Sequence, residues 1–600
     1  MLKDDIASRI RAFTDGADAQ TLQETVDLLL DGLTRDGGEG SITDAFYCDL
    51  DFGTGGLRGI MGAGTNRMNR VVVGRATQGL ANYIVSRGGG AVCIAYDSRL
   101  RSKEFAREAA RVVAGNGLKA YLFDDMRPTP ELSFAVRHLK AAAGIVITAS
   151  HNPKEYNGYK VSWSDGGQVV PPEDREIIEE VRRVTSAHQV KTADFTEAIK
   201  SGAIEIIGSA VDEAFLGAID AVRMRPQLDA VSGNQLKIVY TPLHGTGIKM
   251  VPRALARWGY NNVVLEPQQS VPDGAFPTIK SPNPEDKAAL ELSIQLARRE
   301  NADVVFATDP DADRIGIAVR HDGDYQLVTG NQVGALMAYY ICETLREQGR
   351  LPANGALVTT VVTTGLISAI GADYGVDVDL CLTGFKWIAH LIRGYDIQGA
   401  PGAPSKKFLM GCEESYGYLI GTHARDKDSV VASCVLAEMA LWAKTQGKTF
   451  IDVLHDLYAR YGVHVESQLS KQMPGMTGMQ KIAGLMESLR NNPPREIAGI
   501  TVTAMTDIKL NKKRDLVSGK ETTGPGLPES NVLIYALADG SSVVARPSGT
   551  EPKVKFYFMV VDREGASLSD PGRLNERIAC CKGKEQALRA DFDRLTSERM

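Results

Sequence analysis

The feature that most narrows the fold is a rhythm. Short, uncharged apolar runs alternate with helical stretches along most of the chain. VCIAYD (92–97) precedes the helical KEFAREAARVVA, then come AYLF (120–123) and GIVITAS (144–150). LKIVYTPLHG (236–245), NNVVLE (261–266), ADVVFATD (302–309), GALVTTVV (355–362) and KFLMGCEES (407–415) continue the series. A strand without polar alternation is buried on both faces, so such runs between helices predict parallel sheets covered by helices, an α/β architecture repeated several times. Near the C-terminal end the rhythm changes. ITVTAMTD, NVLIYAL, SVVARPSGT and KVKFYFMV read as strands, and NERIACCKGKEQALRADFDRL as a helix after them, in α+β style. At the other end, Ile6, Ile10 and Phe13, then Val26, Leu29 and Leu30, stand at helical spacing ahead of the break DGGEGS.

With 600 residues, and ~150 per domain, about four domains are expected. Linkers are expected at the polar stretch near 186–210, at HDGD (321–324) and around 463–475. Hydrophobic residues at 43% and charged ones at 24% exclude a disordered chain. The net charge of −6 speaks against a dedicated nucleic-acid binder, so any anion must be held by local positive sites. Cys48, Cys93, Cys342, Cys381, Cys412, Cys434, Cys580 and Cys581 form no C-x-x-C pair, which leaves no zinc ribbon or redox motif and fits free thiols in a reducing cytosol. MLKDDIASRIRAF places charges where a signal peptide needs an apolar stretch, and no run of 18 apolar residues occurs. The expected location is cytoplasmic, with no membrane partner.

In open α/β sheets ligands bind at the carboxyl ends of strands. Four loops are loaded with chemistry. In GIVITASHNPKEYNGYK, an apolar strand delivers Ser150 to its end. His151 is adjacent, but neighbours on an extended segment point to opposite sides, so it is expected to be badly placed as a base for Ser150. No G-x-S-x-G elbow exists. A turn whose Ser and Asn simply bond the backbone fits the same residues. In DPDADR, Asp309, Asp311 and Asp313 place three carboxylates within five residues; a bound hard cation such as Mg²⁺ relieves their repulsion. Arg314 and Arg320 stand where an EF-hand needs Gly and Glu. In GCEESYGY, Glu413, Glu414 and Ser415 suit recognition of sugar hydroxyls and equally suit a solvated acidic turn. In ARPSGTEPK, Arg546, Ser548, Gly549, Thr550 and Lys553 make a phosphate cradle without P-loop spacing. Gly115-x-Gly117 precedes a strand and reads as a helix C-cap.

TASHNPKEYNGYK, DPDADR, GCEESYGY and RPSGTEP resemble, in that order, the four active-site loops of the α-D-phosphohexomutase superfamily, and FGTGGLRG (52–59) and TGFKWI (383–388) match further motifs of it. The length, the helical N-terminal stretch and GGLRGIMGAGTNRMN resemble its long phosphoglucomutase and phosphopentomutase branch, with Cys412 where a larger apolar residue is commoner.

That resemblance implies three mixed α/β domains and a C-terminal α+β domain around a central cleft. The segments expected are a helical extension (1–44), a phosphoserine-loop domain (45–205), a metal-loop domain (206–325), a sugar-loop domain (326–465) and a phosphate-loop domain (466–600). It implies an isomerase that interconverts glucose 1-phosphate and glucose 6-phosphate, with phosphomannomutase, phosphopentomutase or a metal-dependent phosphatase as alternatives. Ser150 would carry the phosphate. One Mg²⁺ would sit on Asp309, Asp311, Asp313 and a phosphoserine oxygen. Lys160 would be the general base, its pKa lowered by a cationic site with Arg58 nearby, and His151 would belong to the same catalytic group. Arg314 would support the metal loop. Gly384, Lys386, Glu413, Ser415 and Arg425 would bind substrate, and Arg546, Ser548, Gly549 and Thr550 the non-reacting phosphate. A sugar 1,6-bisphosphate would be intermediate and activator, and the protein a monomer or weak homodimer.

Overall fold

The computed structural model describes residues 4–35, 38–50, 56–396, 405–473, 478–548, 553–563 and 570–600. Two compact units emerge. The first comprises Met1–Thr329, Phe385–Gly411 and Ser415–Trp442; the second comprises Gly330–Gly384, Cys412–Glu414 and Ala443–Met600.

The first unit begins with helices Asp4–Thr14, Ala19–Thr34 and Glu39–Phe46. Ile6, Phe13, Ile42 and Phe46 bury one shared face, with the rings of Phe13 and Phe46 5.5 Å apart. Val26 and Leu30 are exposed instead. A six-stranded sheet follows, in the order Gly56–Ile60, Tyr156–Trp163, Ala143–Ile147, Ala91–Tyr96, Lys119–Phe123, Ile204–Ile207. Its last four strands are parallel, as the uncharged runs predict. Helices Ser102–Gly115 and Thr129–His138 pack on it through apolar residues such as Phe105 and Ala109. Gly117 leaves the first of these helices at φ 74°, the left-handed exit expected there.

A second, five-stranded sheet runs Asp324–Val328, Ile315–His321, Val304–Thr308, Ile238–Thr241, Val263–Leu265. Helix Lys287–Glu300 covers it through Leu290 and Ile294. Both sheets are mixed. Tyr156–Trp163 returns antiparallel to Ala143–Ile147, and Ile315–His321 antiparallel to Val304–Thr308. Two of the chemistry-bearing loops are therefore hairpin connections, each held by a strand on either side.

In the second unit, strands Gly355–Thr360 and Asp377–Cys381 pair in parallel beside helix Leu366–Tyr374. The C-terminal sheet is antiparallel. Val463–Gln472, Lys553–Asp562, Ser542–Pro547, Leu533–Leu537 and Ile500–Asp507 follow one another across it, and helix Pro571–Glu598 packs on its face through Phe592. This is the expected α+β character.

All three expected linkers are structured. Ile204–Ile207, inside 186–210, is an edge strand of the first sheet. HDGD is a two-residue hairpin turn, with Asp322 and Gly323 at φ 49° and 85° between paired His321 and Asp324. Most of 463–475 is the ten-residue strand Val463–Gln472, paired along its whole length with Lys553–Asp562. Polar residues stand on both of its faces, with Ser467 and Lys471 bonded to the C-terminal helix, which disguised it as a connector.

Candidate active site

Ser150 lies in the hairpin connection after Ala143–Ile147, 3% exposed, with φ 51°. Its amide donates to Thr148 Oγ1 at 2.8 Å. Its hydroxyl donates to Asp309 Oδ2 at 2.7 Å and lies 3.2 Å from His151 Nδ1. His151, expected to point away, is thus within hydrogen-bond reach. Opposite-facing neighbours require extended backbone, and the left-handed turn at Ser150 removes that condition.

A left-handed non-glycine residue costs on the order of 1–3 kcal/mol and persists only where its surroundings hold it. Arg99 supplies the hold. It follows the strand Ala91–Tyr96, is 3% exposed, and donates to the carbonyls of Ser150, Asn152, Pro153 and Tyr156. Asp97 Oδ2 stands 3.3 Å from Arg99 Nε, and Asp97 Oδ1 accepts from the Arg99 amide and from Ser102 Oγ. Burial pushes the Asp97 carboxyl up, against the pull of Arg99. No motif singled out Arg99. The available signal was its place in YDSR, at the same strand end as Ser150.

Asp309, Asp311 and Asp313 form the second hairpin connection and are buried. Asp309 Oδ1 accepts from the amides of Asp313 and Arg314, both at 3.1 Å. The loop TPLHG backs this turn so closely that a side chain at Gly245 would begin 2.4 Å from Pro310 Cα, and the Thr246 amide donates to the Pro310 carbonyl at 2.8 Å.

Carboxylate oxygens of the three aspartates lie within 4.8 Å of one another. Burial, then Asp311 and Asp313, hold Asp309 well above the ordinary carboxylate range. Asp311 Oδ1 and Asp313 Oδ1 are buried without a hydrogen-bond partner among the described residues. Buried carboxylate oxygens without a hydrogen bond, in a cluster of three aspartates, fit a hard divalent cation.

Two lysines meet these carboxylates and share Asp313 Oδ2. Lys160 Nζ lies 2.8 Å from Asp311 Oδ2 and 3.4 Å from Asp313 Oδ2; Lys427 Nζ lies 3.1 Å from Asp313 Oδ2. The Lys160 pKa, expected to be lowered, is raised. Burial pulls it down, but Asp311 and Asp313 outweigh burial and the opposing charge of Lys427. Arg58 is exposed and reaches Asn152 Oδ1 at 3.4 Å, so the nearby cation is Lys427.

The other expected residues of this unit divide. Arg314 spans the metal loop and Glu285, at 2.8 Å. Arg425, expected among the substrate residues, is 1% exposed and enclosed by Asp396 and the carbonyls of Thr422 and Ala424. Its guanidinium serves the loop that presents Lys427, two residues on. Lys386 lines a narrow pocket with Trp163, Gln168, Glu173, His390 and Arg393. Burial lowers its pKa to about 8, against the opposing charge of Asp174. Gln168 donates to Asp426 Oδ2 at 2.7 Å, and Asp426 Oδ1 holds Lys427 at 3.1 Å, so the pocket is wired to the acidic loop. Ser415 is half-buried.

In the second unit, Glu413 Oε1 accepts from the Gly384 amide at 2.7 Å, joining two expected binding loops. Burial, then Glu413, raise Glu414 to about 7; Arg546 and Lys555 act against this. Arg546 donates to Tyr557 Oη at 3.3 Å, and the Ser548 amide to the Lys553 carbonyl at 2.8 Å. Gly549 and Thr550 lie outside the described residues, as do the first residues of FGTGGLRG.

Family models for phosphoglucomutase/phosphomannomutase alpha/beta/alpha domains I, II and III match residues 49–188, 214–323 and 329–461. The chain belongs to the phosphoglucomutase/phosphomannomutase family. A protein of Staphylococcus saprophyticus named Phosphoglucomutase is 35% identical over 511 residues, 85% of this chain and 90% of that one. One of the same name from Staphylococcus aureus is 36% identical over 518 residues, 86% and 90%. The solved open form of pp63/parafusin (phosphoglucomutase) from Paramecium matches with a TM-score of 0.64 at 16% identity, over 90% of this chain and 95% of that one, a likeness of fold. Three α/β domains of this family followed by an α+β domain are the fold class expected from the sequence. Among the described residues, no helix is long and apolar enough to cross a membrane.

Proposed function

We propose that this enzyme interconverts glucose 1-phosphate and glucose 6-phosphate through a phosphoserine at Ser150 and a sugar bisphosphate. The observation that carries the reading is the Ser150 hydroxyl seated on Asp309, one of a cluster of three buried aspartates. The two Staphylococcus relatives and the four loops support it.

Ser150 gives its phosphate to the sugar monophosphate and takes back the other phosphate of the bisphosphate, so one difficult transfer becomes two. His151 Nδ1 is within reach of the hydroxyl that gains or loses a proton. Lys160, kept cationic by Asp311 and Asp313, and Lys427, 3.1 Å from Asp313 Oδ2, stabilise phosphoryl oxygens. Asp309, Asp311 and Asp313 would hold one Mg²⁺, which supplies charge neutralisation at the transferring phosphoryl group. Lys386 and Glu413 would meet the sugar phosphate and its hydroxyls. Arg546, Ser548, Gly549 and Thr550 would hold the phosphate that is not reacting. A cytoplasmic location belongs to the same reading.

Turnover of glucose, mannose and pentose 1-phosphates, measured side by side with Mg²⁺ and catalytic sugar 1,6-bisphosphate, tests this. The glucose compound should give the highest kcat/KM, and peptide mapping should find phosphate on Ser150. A preference for mannose or pentose phosphate would reassign the substrate. Release of inorganic phosphate without isomerisation would make the enzyme a phosphatase.

A further inference from the structure

Two donors grip the Asp311 carboxylate through the same oxygen. Its Oδ2 accepts from Thr129 Oγ1 at 2.9 Å and from Lys160 Nζ at 2.8 Å. Its Oδ1 is buried with no hydrogen-bond partner among the described residues. The Thr129 amide also donates to the Asp311 carbonyl at 2.9 Å, so one residue grips both the backbone and the side chain of Asp311 from 182 positions away.

Thr129 is itself fixed. It is 3% exposed and opens the helix Thr129–His138, whose next residue is Pro130. One turn on, Ser133 Oγ donates to the Gly166 carbonyl at 2.7 Å and accepts from the Arg425 amide at 2.8 Å. The helix that reaches Asp311 is thereby tied to the loop that brings Lys427 to Asp313.

We propose that Thr129 is a positioning residue that decides which oxygen of Asp311 faces the cation. A carboxylate rotates about its last bond, and a single lysine, a mobile point charge, does not stop it. A second donor on the same oxygen, from a rigid helix, does. Thr129 occupies Oδ2 and leaves the buried Oδ1 without a hydrogen donor among the described residues. This inference rests on the Mg²⁺ reading above. Outer partners of metal-binding carboxylates typically contribute about 10–100-fold in affinity.

The test is Mn²⁺ binding to the full-length protein, followed by electron paramagnetic resonance and by calorimetry, for wild type, Thr129→Val, Thr129→Ser and Asp311→Asn. Urea unfolding of each variant reports whether it folds. Thr129→Val keeps the shape and the amide but loses the hydroxyl. It should weaken Mn²⁺ by roughly 10-fold or more, and excess Mg²⁺ should restore most of its kcat. Thr129→Ser should stay within about 3-fold of wild type, well inside the range expected for a lost outer contact. If Thr129→Val is folded and binds Mn²⁺ as wild type does while Asp311→Asn does not bind, Thr129 does not position the carboxylate. If Thr129→Val is unfolded, Thr129→Ser decides, and a loss of affinity there overturns the proposal. If wild type binds no Mn²⁺, the cation reading falls and this inference with it.

Discussion

Ser150 donates its hydroxyl to Asp309 Oδ2 at 2.7 Å although 159 residues of chain separate them. Each stands in the connection of an antiparallel hairpin within the first unit, and each hairpin has a parallel strand on one side and an antiparallel strand on the other. The nucleophile candidate and the acidic loop are thus set by two sheets rather than by flexible segments.

Replacing Ser150 by Ala should reduce mutase turnover by orders of magnitude, since Ser150 carries the loop hydroxyl seated on Asp309, whereas Thr148 Oγ1 accepts from the Ser150 amide. Intact mass should show that the wild-type phosphate is gone. Near-full activity in this variant would rule out the covalent route.

His151 and Lys160 are expected to separate in their pH behaviour. His151 Nδ1 is 3.2 Å from Ser150 Oγ, whereas Asp311 and Asp313 keep Lys160 protonated. His151→Ala should lose about 10²–10⁴ in kcat, as for removal of a general acid–base group, together with the acidic limb of the kcat profile. Lys160→Met should also be slow, yet keep that limb. A limb that disappears only in the Lys160 variant would restore Lys160 as the base.

Arg99→Met should be a stability variant as well as a slow one. It removes the donor to four loop carbonyls and leaves Asp97 buried without its cation. The loss should approach about 3–5 kcal/mol, the usual cost of breaking a buried pair. Urea unfolding measures it, and a change below about 1 kcal/mol, the size of a surface pair, would show that the loop holds itself.

Lys386 predicts a trade between stability and binding. Its pKa falls from 10.5 to about 8 on folding, because burial disfavours the ammonium. Between those values the unfolded chain holds a proton that the folded one lacks, so this group's contribution to stability rises with pH across that window, and below it the full cost is present. That cost is at most ~3 kcal/mol. Lys386→Met should therefore raise the melting temperature at pH 7 while raising KM for the phosphosugar. Wild-type KM should climb as pH passes about 8, and the variant's should not. An unchanged KM at pH 7 would remove Lys386 from the binding set.

The local order of the chain was enough to place the chemistry at strand ends. Short apolar runs such as VVFAT between helical stretches read as buried strands, and three aspartates in five residues stay close in any conformation. That is short-range information, because strand and turn geometry relates residues a few positions apart. Val463–Gln472 escaped notice for the same reason: its pairing partner begins at Lys553, and its own alternation is largely polar. Four further features needed the tertiary structure. The left-handed backbone at Ser150 brought His151 to its side. Arg99 closed on a loop about fifty positions later. Lys427 is the cation that acts on Lys160, where Arg58 was expected nearby. Thr129 met Asp311 across 182 residues. Each depends on how separate elements pack, and packing is set by the summed burial of whole sheets and helices, which no short stretch of sequence records.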